Sequence, residues 1–178
     1  TLFRSGKGVD KRIDDLANAI RFKLSGFDLQ EMELAYAPPF SSAKDPVNMA
    51  GYVIGNVMEG LMKPFYLEDL ESIPEDAVRL DVRTVEEYAG GTIPGFINIP
   101  LDSLRERMDE LDLTKDIYIT CQIGLRGYLA QRILDQAGAR TWNLSGGYRF
   151  YEMKAKDEQS MAAAMTMCTE CGMEVNAK

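Results

Sequence analysis

From Ala77 onward the hydrophobic period of this sequence switches repeatedly, and that switching limits the folds open to it. Short β-type runs (AVRLDV, INIP, IYIT, TWNL) alternate with segments of helical character (VEEYA, LDSLRERMDEL, GYLAQRILDQAG, YRFYEMK). Strand, helix, strand in succession predicts an α/β domain with a largely parallel sheet flanked by helices, because each intervening helix carries the chain back to the same end of the sheet. Leu101, Leu104, Met108 and Leu111 mark one helix face, and Leu129, Ala130, Ile133, Leu134 and Ala137 another. Both stripes are read as core packing.

Ahead of this domain the pattern is purely helical. Val9, Ile13, Leu16, Ala17, Ile20 and Leu24 fall at helical spacing, with Gly26 as a stop signal. After a short acidic turn, a Pro-Pro break and a Ser-rich loop, Val47, Ala50, Val53, Ile54, Val57 and Leu61 repeat helically again. Two helices around a loop make a sub-domain rather than a full fold. The reading therefore divides the chain into a helical piece (1–62), an α/β domain (63–155) and a tail (156–178) whose Ala-Met part reads as weakly helical. The opening at Thr1, in the Gly-containing stretch FRSGKGVD, reads as a fragment of a longer protein.

Composition removes several classes of chemistry. A net charge of −8, with no clustering of the basic residues, argues against a nucleic-acid partner. No stretch approaches the roughly 18 apolar residues of a membrane span. Three cysteines without a signal-like N-terminus do not form a secreted disulfide framework, so a cytoplasmic protein is expected. The chain contains no histidine, which excludes Ser-His-Asp and Cys-His catalysis and any His-based zinc site. No metal is expected.

One segment, IYITCQIGLRGYLAQRIL, concentrates the remaining chemistry. A β-run ends on Cys121 and a helix begins near Arg126 and Gly127, so the cysteine sits in a strand-to-helix turn. Loop amides can converge on the sulfur there, and the helix N-terminus adds partial positive charge. That setting favours a thiolate without an imidazole base. Gly124 and Gly127 are read as permitting the sharp curvature. Arg126, a planar fork, is placed to hold an anionic group of a substrate. The plainer reading, an inert buried cysteine at a strand end, is weakened by the Cys-x-x-x-x-Arg spacing with two glycines.

With these residues in view, the LDVRTVEEYAGGTIPGFINIPLDSL stretch, the CQIGLRG loop and the NLSGGY turn, in that order, make residues from about 66 to 152 resemble a rhodanese domain. The resemblance implies a sulfurtransferase in which Cys121 carries sulfane sulfur as a persulfide and passes it to a thiol acceptor. By the same resemblance, the amides of Gln122, Ile123, Gly124, Leu125, Arg126 and Gly127 cradle the persulfide. Asp81 and Arg83 match the family's Asp-x-Arg; Arg83 is expected to pair with Glu86 or Glu87, and Asp81 to brace the loop. Thr92 stands where the family commonly has His. Two other readings stay open: a dual-specificity phosphatase-like enzyme, which uses a wider loop with five residues between Cys and Arg rather than the four here, and a catalytically silent rhodanese-like interaction module.

GKGVDKRIDDLANAI and DLQEMELAYAPPFSSAKDPVNMAGY resemble the end of the dimerisation domain of FAD-dependent pyridine nucleotide-disulfide oxidoreductases, in particular the coenzyme A-disulfide reductase group. This implies a homodimeric parent that uses FAD and NAD(P)H, although no Gly-x-Gly-x-x-Gly follows a β-run in this chain and no cofactor is expected on the fragment itself. Tyr36 matches a tyrosine that approaches the partner's active site in that group, or else is a packed interface aromatic. Cys168 and Cys171 form a Cys-x-x-Cys that reads as a resolving dithiol, half a metal site or the edge of a further segment.

Overall fold

The computed structural model describes residues 8–39 and 41–170, and the chain divides after Leu61 into two compact units. The first contains α1 (Val9–Arg21), α2 (Gly26–Glu31) and α3 (Pro46–Met58). Gly26 does not stop α1 as the sequence suggests: Lys23 takes the left-handed position (φ 57°), and Gly26 begins α2 behind the Ser25 cap. A small core of Ala19, Leu29 and Val47 holds the three helices, and buried Asn48 donates to the Leu29 and Met32 carbonyls at 3.0 and 2.9 Å. Asn48 thereby satisfies acceptors that the end of α2 leaves open.

The second unit is a five-stranded, all-parallel sheet in the order β1-β5-β4-β2-β3, formed by β1 (Pro64–Phe65), β5 (Arg140–Leu144), β4 (Asp116–Thr120), β2 (Val78–Asp81) and β3 (Ile97–Asn98). Helices α4 (Val85–Ala89), α5 (Leu125–Gln136) and α6 (Gly147–Glu170) follow β2, β4 and β5. The predicted α/β class and parallel sheet are found. Strand alternation builds two cores. Leu80, Ile117, Ile119 and Cys121 pack on one face with Ala130 and Leu134 of α5; Phe65, Tyr118, Trp142 and Leu144 pack on the other with Tyr148 and Tyr151 of α6. Ile117 and Ile119 are wholly buried, each contributing about 1.5–3 kcal/mol relative to exposure.

Two expectations change. The LDSLRERMDEL stretch is not one helix but two 3₁₀ turns, Leu101–Ser103 and Met108–Glu110. Its apolar pairs, Leu101/Leu104 and Met108/Leu111, are three apart, which a three-residue turn brings onto one side as well as an α-helix does. At the far end, α6 runs unbroken through the place where the sequence reading begins a tail. The segment is rich in Ala, Met, Glu, Lys and Gln and free of Gly and Pro, so intrinsic propensity extends the helix without an apolar stripe. No helix among the described residues is long and apolar enough to cross a membrane.

Candidate active site

The site lies at the carboxyl ends of the sheet. Parallel register sets Asp81 of β2 opposite Thr120 of β4, so the residues that follow, Val82–Arg83 and Cys121, leave the sheet side by side. Cys121 is buried (1% exposed) and is a free thiol.

The loop from Cys121 to Gly127 is shaped by hydrogen bonds made to its carbonyls from outside. Tyr148 N–H donates to the Cys121 carbonyl at 2.7 Å, and Arg149 N–H to the Gln122 carbonyl at 3.1 Å. Both donors stand at the start of α6, where backbone N–H groups have no partner within the helix. The Asn143 amide, from β5, donates to the Gly124 carbonyl at 3.0 Å. In a trans peptide the N–H points opposite to the C=O. These carbonyls are tied to the start of α6 and to Asn143, so the amides of Gln122, Ile123 and Leu125 point away from those donors. The Gly124 N–H already donates to Cys121 Sγ at 3.1 Å. Converging backbone amides of this kind can hold negative charge, and one of them is already on the thiol.

Of the two loop glycines, only Gly124 supplies curvature, at φ +118°. Gly127 lies within α5, and its missing side chain makes room instead: a Cβ there would meet Asn143 Oδ1 at 2.1 Å.

Asp81 and Arg83 form a buried pair, 0% and 1% exposed. Arg83 Nη2 donates to Asp81 Oδ2 at 2.7 Å and to the Gly91 carbonyl at 2.7 Å, and Nη1 donates to the Glu87 carbonyl at 3.2 Å. The guanidinium lies 3.9 Å from the centre of the Tyr148 ring and 3.5 Å from the Gln122 side-chain oxygen. Asp81, rather than the carboxylate of Glu86 or Glu87, is the partner of Arg83. The Glu87 carboxylate instead takes Arg126 in a two-pronged pair at 2.6 and 2.8 Å. Those hydrogen bonds hold the Glu87 carboxyl at about 2, far below its ordinary 4.5, and Glu87 in turn raises the pKa of Arg126.

The structure thus brings together Cys121, Gln122, Ile123, Gly124, Leu125, Arg126, Gly127, Asp81 and Arg83. Tyr36 lies in the other unit and is half exposed. Cys171 and the side chain of Cys168 lie outside the described residues. Sequence reasoning missed the roles of Asn143, Gly147, Tyr148 and Arg149, although all but Arg149 stand in the NLSGGY turn.

The family profile described as Rhodanese-like domain matches residues 67–154. A sulfurtransferase of Allochromatium vinosum is 39% identical over 74 residues, covering 41% of this chain and 69% of that protein. The crystal structure of reduced Bacillus anthracis CoADR-RHD superposes with a TM-score of 0.78 at 48% identity, over 82% of this chain and 26% of that one. The structure of a NAD-dependent persulfide reductase from A. fulgidus gives 0.71 at 40% identity, over 83% and 26%. Both structural matches cover more than the second unit alone supplies, so the likeness reaches into the helical unit, and this chain spans about a quarter of each. Residues 67–154, with Cys121 in their loop, make this chain a member of the rhodanese-like family.

Proposed function

We propose that the second unit is a sulfurtransferase that forms a persulfide on Cys121 and passes its outer sulfur to a thiol acceptor. The observation that carries this reading is the Gly124 N–H directed at Cys121 Sγ at 3.1 Å, inside a loop whose carbonyls are tied outward. In the first half-reaction the Cys121 thiolate attacks the outer sulfur of a donor, the donor's S–S bond breaks, and the electron pair leaves on the inner sulfur as a thiolate or sulfite. The negative charge then resides on the outer sulfur of Cys121–S–S⁻, within reach of the loop amides. In the second half an acceptor thiolate attacks that outer sulfur and Cys121 leaves as thiolate. Charge balances in both halves, and no external oxidant or reductant enters.

The geometry favours this over phosphatase chemistry because four residues, not five, separate Cys121 from Arg126, and because Arg126 already holds a carboxylate. A silent interaction module has no use for a buried thiol facing a backbone donor.

The likeness to CoADR-RHD and to a persulfide reductase supports a further proposal, that this chain belongs to a longer, homodimeric reductase. FAD and NAD(P)H then belong to the remainder of that protein, where they supply reducing electrons. The test of the sulfurtransferase reading is intact mass after incubation with thiosulfate, polysulfide or an organic persulfide. A gain of one sulfur, about 32 Da, that Cys121→Ser abolishes is expected; no gain with any donor would refute it.

A further inference from the structure

Two of the arginines beside the thiol loop are already engaged; a third, Arg149, lends the loop its backbone N–H and has an exposed side chain. Arg83 is buried against Asp81, and Arg126, with 31% of its side chain exposed, gives one N–H from each Nη to Glu87. Arg126 nevertheless remains within electrostatic reach of Cys121. The Glu87 carboxylate is fixed from its own side: its Oε2 accepts the Thr84 N–H at 2.9 Å, while the Glu87 N–H donates to the Thr84 hydroxyl at 3.3 Å, closing the capping box of α4. The carboxylate is thus held by local backbone whether or not Arg126 is present. It stays ionised throughout neutral and mildly acidic conditions. Two side chains of the same loop are apolar and open, Ile123 60% exposed and Leu125 65%.

A doubly charged oxyanion approaching Arg126 meets a guanidinium whose two Nη atoms are already tied to a carboxylate, with an anchored negative charge beside it. A donor with one negative charge and an apolar stem loses nothing by this and gains contact with Ile123 and Leu125. On the reading that Cys121 accepts sulfur, we propose that Glu87 is a specificity-determining residue, which by occupying the fork of Arg126 turns the loop away from dianionic donors such as thiosulfate and toward persulfides of apolar organic thiols. The exchange itself is the one already written: Cys121 takes the outer sulfur, and the organic thiolate leaves.

The experiment compares kcat/KM for thiosulfate and for benzyl persulfide, read as formation of the Cys121 persulfide in the whole chain. Glu87→Gln keeps the oxygen that caps α4 and removes the charge. We expect it to raise the thiosulfate-to-benzyl persulfide ratio about tenfold, the effect of about 1.4 kcal/mol, and we expect Arg126→Gln added to it to cancel that gain. A ratio that moves less than twofold in Glu87→Gln, or a gain that survives loss of Arg126, would overturn the proposal. Should Glu87→Gln fail to fold, the wild type decides: loading by benzyl persulfide is expected to be indifferent to equimolar sulfate, and competitive inhibition by sulfate would show the fork open and defeat the idea. If no donor loads Cys121, the sulfurtransferase reading itself fails; if wild type loads readily from thiosulfate and Glu87→Gln does not shift the ratio, only the role of Glu87 does.

Discussion

A carboxylate and a guanidinium that both lose water on folding need one another, and Asp81 and Arg83 are such a pair. Removing one partner leaves the other charged and buried, a cost of about 3–5 kcal/mol. Asp81→Ala is accordingly expected to lower the unfolding free energy by about that much, measured by urea titration of Trp142 fluorescence. Trp142 is the only tryptophan in the chain and stacks on Tyr118 in the second unit, so it reports that unit alone. A loss below about 1 kcal/mol would show the pair to be dispensable. At this scale the thiol and its arginine are legible in the sequence because they share one short loop. The ionic partners are not: Arg126 and Glu87 stand 39 residues apart, whereas local spacing suggests Arg83 with Glu86 or Glu87. Only the parallel register that brings β2 beside β4 places the two loops together.

Among the elements, α6 does more than cover the sheet, because its first amides bind the loop that holds the sulfur. Gly147 makes that approach possible. It stands at φ +60°, and a Cβ there would lie 2.4 Å from the Cys121 carbonyl and 2.8 Å from the Gln122 backbone. Gly147→Ala should therefore push α6 off the loop. We expect persulfide formation at least about tenfold slower, the effect of losing roughly one to two hydrogen bonds from the loop, together with a lower Tm. Unchanged loading kinetics would mean that α6 does not shape the site. The sheet strands and α5 are readable because their hydrophobic period changes cleanly. β1 escapes notice because two residues carry no period, and the continuation of α6 escapes because propensity without amphipathicity resembles an unstructured tail.

At the scale of the whole molecule, the chain joins a helical unit with its own small core to a sheet unit with two. The resemblance of each was visible as words in the sequence, since surface motifs and turn residues survive where contacts cannot be read. If this chain belongs, as proposed, to a longer reductase that draws its sulfur through Cys121, NADH oxidation driven by an organic persulfide in that reductase should fall at least about tenfold in Cys121→Ser, or about 1.4 kcal/mol of lost coupling. Equal turnover would mean that the two activities only share a chain. The 24 residues of α6 set a last constraint. At 1.5 Å per residue the helix departs from the thiol loop and is about 30 Å along its axis when it reaches position 168. The backbone at position 168 thus stands at the far end of α6 from the loop that holds Cys121, and several turns of the helix would have to come undone to bring those two stretches of backbone together within one molecule.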